Sequence, residues 1–192
     1  MPLIGVIDSA KSNSIYGGSY FSLATAYCST NTSTMSFSGI PSGYDYLQLR
    51  VTARSTRSSG TDLLALRMNG DTSNGYADWT IYGDGQSANS DSNGSSQNRI
   101  DIRRMASQFN STNTFSNWVI DIHNYTSTSI YKDVKALGGF MDYNATASNN
   151  QSAFVTGVWE STTAVTQIDL ICSYPCQSFV TGSRASLFGI KG

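Results

Sequence analysis

The 192-residue sequence predicts an all-β chain: an antiparallel two-sheet β-sandwich of jelly-roll type. Three observations predict it. Short segments with apolar residues at every second position follow one another, the signature of strands with one buried face. Turn-forming residues separate them at spacings of roughly 8–12 residues, as in sandwiches and barrels. No amphipathic helical segment intervenes, which argues against a parallel sheet with crossover helices. A closed barrel is the second arrangement that fits this pattern.

In Thr34–Ile40, Met35 and Phe37 alternate with Ser36 and Ser38, and Pro41-Ser42-Gly43 stops the run. Tyr46–Ala53 places Leu47, Leu49, Val51 and Ala53 on one face, with Tyr46, Gln48, Arg50 and Thr52 on the other. Leu63–Met68 ends at Asn69-Gly70-Asp71. Asn-Gly favours a type I′ turn because both residues tolerate positive φ, so Tyr76–Tyr82 is read as the hairpin partner. Gly83–Asn98 is almost wholly Gly, Ser, Asn, Asp and Gln and is expected to form an exposed loop.

Arg99–Met105 alternates again, with Ile100 and Ile102 inward. Phe115–Tyr125 carries Trp118, Ile120 and Ile122 on one face and Val119, Asp121 and His123 on the other. Tyr131–Phe140 is a strand ending in Gly138-Gly139, and Asn144–Ser152 a second polar loop. Phe154–Trp159 and Val165–Cys172 read as a last hairpin, and Ala185–Ile190 closes the chain. These nine or ten strands make one domain over residues 1–192, with residues 1–20 as an extended N-terminal arm.

Composition narrows the function classes. Hydrophobic residues make up 39% and charged residues 13%, and Ser, Thr, Asn and Gly fill the difference. The net charge is −1, and no basic block exists to attract nucleic acid or an acidic membrane. The densest basic cluster, Arg99, Arg103 and Arg104, reads as a solvated strand edge. Met1–Asp8 lacks the basic start and long apolar stretch of a signal peptide, and no run is long enough for a membrane-spanning helix. Synthesis in a cytoplasm as a soluble protein, leaving only by lysis, is therefore expected. The three cysteines, Cys28, Cys172 and Cys176, are expected to be free thiols rather than a disulfide framework.

Catalytic material is thin. His123 is the single histidine and shares a strand face with Asp121, but no Gly-x-Ser-x-Gly elbow supplies a nucleophile for a triad. A surface polar pair is the favoured reading. Paired carboxylates would suit a glycosidase, and the candidates are Asp78, Asp84, Asp101, Asp121, Asp133, Asp142, Glu160 and Asp169. Glu160 is the one glutamate and sits beside Trp159. Asn89–Gly94 matches part of a calcium-loop pattern, but Ile100 stands where the bidentate carboxylate belongs. Cys28, Cys172, Cys176 and His123 lack paired zinc spacing. The reading is a non-enzymatic protein with no cofactor and no metal.

Aromatic residues are the most promising candidates for contact: Trp79 and Tyr82 flank the long polar segment, and Tyr143 begins the second. Rings near loop tips can stack on sugar rings while Asn, Asp and Gln bond the hydroxyls; the competing role is core filling.

Several stretches in order carry a resemblance. They are Pro2–Ala10, Phe37–Tyr44 running into Leu47–Arg50, Leu66–Asp71, Ile120–Tyr125 with Tyr131-Lys132, Gly138-Gly139, Gly157–Thr162 and Ser186–Gly192. Together they resemble small β-rich virion proteins of tailed phages, especially those infecting cyanobacteria. The resemblance implies a component of the particle exterior: a capsid decoration, cement or head-fibre protein, or a tail appendage. It supplies no catalytic motif. It implies phage capsid or tail proteins as partners, a homo-oligomer of trimeric symmetry, and location on the virion. A glycan-binding tail-fibre tip contacting a host surface glycan is the alternative; the chain lacks the heptads or collagen-like repeat of a fibre stem, which favours the decoration role.

Overall fold

The computed structural model describes residues 19–142, 150–173 and 178–191. Within them lie twelve strands: β1 (Tyr20–Tyr27), β2 (Thr34–Ser38), β3 (Tyr46–Ala53), β4 (Asp62–Met68), β5 (Tyr76–Gly83), β6 (Ala88–Gln97), β7 (Ile100–Met105), β8 (Ser116–His123), β9 (Lys132–Phe140), β10 (Gln151–Trp159), β11 (Gln167–Cys172) and β12 (Arg184–Ile190). They form two antiparallel sheets, as expected of a β-sandwich. The larger has eight strands in the order β1-β12-β3-β8-β9-β10-β5-β6, and the smaller has four in the order β2-β11-β4-β7. A plain jelly roll uses eight strands in all.

The alternation read from sequence sets the two faces of each strand. Leu47, Leu49 and Val51 on β3 and Trp118, Ile120 and Ile122 on β8 are buried between the sheets. Leu64, Leu66 and Met68 on β4, with Ile168 and Leu170 on β11, meet them from the smaller sheet in one continuous core. Each such side chain contributes roughly 1.5–3 kcal/mol of burial free energy.

Three connections differ from the sequence reading. First, Ala88–Gln97 is strand β6, not a loop. Its backbone pairs with β5 while its side chains stay almost wholly exposed, because it is the sheet's edge and both its faces are wet. Hydrophobic periodicity cannot find such a strand. The signal was Asp84-Gly85: the Asp84 Oδ1 accepts the N–H groups of Gln86 and Ser87 at 2.9 Å each, and Gly85 has φ 88°. Second, the Asn69-Gly70 turn forms with φ 52° and 65°, but β4 and β5 are not partners. Asn69 is tied elsewhere: its Nδ2 donates to the Ala164 carbonyl at 2.8 Å and its Oδ1 accepts the N–H of Thr166 at 2.8 Å. The chain then crosses to the other sheet. Third, β10 and β11 lie in different sheets, so the expected last hairpin is absent; β10 lies between β9 and β5, and β11 between β2 and β4. Tyr20–Tyr27, unread in the sequence, adds β1 at the far edge. Residues 1–18 of the expected N-terminal arm lie outside the described residues, and Tyr20 opens β1.

Candidate functional site

The outer face of the eight-stranded sheet carries several exposed apolar side chains. Strand register builds it row by row. Ile81 on β5 faces Phe154 on β10, which faces Leu137 on β9, which faces Val119 on β8. These four side chains form an apolar row across adjacent strands. Ile81 is 45% exposed, Leu137 64% and Val119 40%, high values for neighbouring aliphatic residues. Trp79, two residues before Ile81 on the same face, is also 45% exposed.

The row continues into charge. Val119 faces Arg50 on β3, and Arg50 faces Ser186 on β12. The guanidinium of Arg50 lies 5.2 Å from the Tyr20 ring centroid and 5.0 Å from that of Phe188. Its Nε donates to Gln48 Oε1 at 3.0 Å, and Gln48 Nε2 donates to Asp121 Oδ1 at 2.8 Å. Arg50 thus lies against two rings set edge to face, 76° apart, and is tied at Nε, and its terminal nitrogens make no hydrogen bond among the described residues. Arg184, diagonal to it across β3 and β12, is exposed. Neither arginine makes an ion pair within the described residues.

Shallow depressions open along this face. One of 590 Å³ lies against Ile81, Phe154, Leu137 and Asn89; another of 360 Å³ lies against Leu137, Val119, Arg50, Arg184 and Phe188. A third of 320 Å³ sits beside Trp79, Thr156 and Asp133. The first two share Leu137, so the apolar and the cationic parts are continuous.

The residues proposed from sequence are scattered by this geometry. Trp79 points outward from β5, whereas Tyr82 is on the opposite face and packs against the core beneath Arg103, whose guanidinium carbon is 4.0 Å from the ring centroid. The two rings therefore form no shared platform. Tyr143 lies outside the described residues. Asp121 is engaged by Gln48, and His123 stacks on Tyr46 with ring centroids 5.0 Å apart. Both are on the face opposite Trp118, as a surface polar pair requires.

Of the candidate carboxylates the fold brings Asp78 and Asp101 together, and each is already hydrogen-bonded. Asp78 accepts from Asn93 Nδ2 and the Asp101 N–H, Asp133 from Asn124 Nδ2, Asp142 from Asn110 Nδ2, and Asp169 from Gln167 Nε2. Trp159 beside Glu160 is buried and donates its Nε1–H to Asp71 at 2.9 Å, so it lines no groove. Asn89–Gly94 runs along β6 in extended form, and its Asp91 pairs with Arg103 at 2.9 Å. The cluster does lie at a strand edge, since β7 ends the smaller sheet, but Arg103 is largely buried against Tyr82 and Asp91 of the other sheet rather than solvated, a correction to that part of the reading. Arg99 pairs with Asp101 at 2.8 Å. Cys28 and Cys172 are buried free thiols, and burial pushes the Cys172 thiol well above its ordinary range; Cys176 lies outside the described residues.

Sequence reading missed the outward apolar row. Val119 had been placed on the polar side of its strand, but its significance depends on Leu137, Phe154 and Ile81 being neighbours. Only the strand order reveals that. Comparison with protein-family models, with curated proteins and with solved structures finds no match to this chain.

Proposed function

We propose that this chain is a non-enzymatic structural protein of a tailed-phage particle, seated on the particle's outer protein shell through the exposed face of its eight-stranded sheet. The apolar row Ile81–Phe154–Leu137–Val119 carries this reading. Aliphatic and aromatic side chains left exposed on adjacent strands gain by being covered with a partner. The ordered resemblance to virion exterior proteins supplies the partner class. A decoration protein works by shape and contact, and a β-sandwich with two wet edges offers a stiff plate for it. Self-association in the symmetry of the shell, as a trimer, belongs to the same proposal.

A tail-borne glycan-binding tip is the second reading, favoured by the exposed Trp79 beside Thr156 and Asp133. Gold-labelled antibody against the protein on intact particles separates the two. Label spread over the head supports decoration, and label confined to the tail supports the adsorption role and overturns decoration. Particles without label overturn both.

A further inference from the structure

We infer that the partner surface is acidic at one end: the outer face of the eight-stranded sheet receives a short protein segment whose apolar side chains cover the Ile81–Val119 row and whose carboxylates meet Arg50 and Arg184. This rests on the docking reading above and adds the chemistry of the partner.

Three observations carry it. The first is charge without a mate. Arg50 and Arg184 sit diagonally on neighbouring strands, and the residues lining the depression they share include no carboxylate. Asp121, diagonal to Arg50 on the other side, is held by Gln48, so an anion that reaches both arginines meets their outer edges open. The second is preorganisation. Arg50 lies against the Tyr20 and Phe188 rings and is pinned at Nε by Gln48, so its outer edge needs little ordering to meet a carboxylate in two parallel hydrogen bonds. The third is continuity. Arg50 falls in the same cross-strand row as the four apolar residues. From β5 to β3 is four inter-strand spacings, about 19 Å, which an extended segment crosses in about six residues. One segment can therefore fill both parts.

Carboxylate is the anion favoured because the surroundings are mixed. Leu137, Val119 and Phe188 line the same depression as the arginines. Asp or Glu among aliphatic side chains matches that pattern.

The test measures binding of the purified protein to particles lacking it, by co-sedimentation at about 0.05 and 0.5 M salt. Arg50→Gln and Arg184→Gln are each expected to weaken binding about tenfold at low salt, and the double variant further, with the salt dependence reduced. Arg67→Gln, on the other sheet, is the matched control and is expected to bind as the parent does. Thermal midpoints of all variants are compared first, since loss of folding would mimic loss of binding. A ten-residue glutamate peptide is expected to compete at low salt, and a galacturonate oligomer of equal charge to compete less.

If Leu137→Lys abolishes binding while the arginine variants bind normally, docking stands and the acidic partner is overturned. If galacturonate competes as well as the glutamate peptide or better, the protein-segment assignment is overturned. If the parent protein fails to bind particles, both readings fall.

Discussion

The two outer faces of the sandwich are built from the same strand alternation and end up chemically opposite. On the four-stranded sheet the polar groups satisfy one another. Asp169 accepts from Gln167 Nε2 at 2.9 Å, Arg67 donates from Nε to the Asn98 carbonyl at 3.0 Å, and Asp101 accepts from both Arg99 and Ser173. On the eight-stranded sheet a row of apolar side chains stays open and two arginines lack an ion-pair partner among the described residues. Leu137 at 64% exposure would mean little alone, but with Ile81, Phe154 and Val119 beside it the exposed apolar surface is contiguous. The difference is why the proposed docking face is sought on the larger sheet: it rests on a row of neighbouring side chains rather than on any single residue.

Breaking the larger face has the largest expected effect. Leu137→Lys puts a charge at the centre of the apolar row and is expected to weaken particle binding by at least tenfold, as substitution of a central contact does. Ser36→Lys on the exposed face of β2 is expected to leave binding unchanged. Both should alter stability by no more than about 0.5 kcal/mol, because both positions are exposed. Co-sedimentation and thermal melts check the pair. Equal binding by the two variants would erase the distinction between the faces.

The next effect is on the sheet itself. Gly139 on β9 has φ 151°, and a Cβ there would overlap the Gln151 carbonyl oxygen of β10. Gly138 beside it would meet the Asn117 carbonyl oxygen and the Trp118 ring. The Gly-Gly pair thus lets three strands approach under the open face. Gly139→Ala is expected to destabilise by about 3 kcal/mol, from strain plus backbone displacement. Urea titration measures it, and a cost near zero would show that this part of the face is not tightly built.

Much of the fold was legible, because burial on one side imposes period two and period two is visible in sequence. β3 and β8 are read correctly face by face for this reason. What was not legible follows from physics as well. β6 buries nothing, so its periodicity carries no signal, and β1 at the other edge is mostly exposed for the same reason. Strand partners are long-range, and the local preference of Asn69-Gly70 for a turn says nothing about where Tyr76 goes next. The open row needs four strands from distant sequence positions to be placed side by side, and Arg50 with its two rings needs three more. The aromatic candidates failed as a group because adjacent positions on one strand alternate faces, sending Trp79 out and Tyr82 in.

That last contrast is itself testable. Tyr82→Ala removes a ring packed against the core and under Arg103, and is expected to cost about 2 kcal/mol. Trp79→Ala is expected to cost less than about 1 kcal/mol, since its ring is largely exposed. If Trp79 stacks on sugars, its alanine variant alone loses glycan binding on an array; loss with Tyr82→Ala at full stability would contradict the inward placement.

The smallest expected effect probes the seam between the two faces. Asp78 on β5 is buried and accepts the Asp101 N–H of β7 at 3.1 Å, so it links the two sheets. Asn93 Nδ2 donates to it from β6, and Asp91 and Asp101 are nearby carboxylates. Burial, with a lesser push from Asp101, raises its pKa to about 6. A carboxyl that holds its proton more tightly when folded favours folding on protonation. Its contribution is therefore fully present below the ordinary value near 4 and is lost as pH rises through about 6. Asp71, Asp84 and Asp91 have depressed values, so their contributions hold above that range and fade only at lower pH. Between pH 7 and 5 the thermal midpoint of the parent is expected to rise by a few degrees, and that of Asp78→Asn to stay flat. A parallel rise in both would assign the slope to some other group and overturn the raised pKa of Asp78.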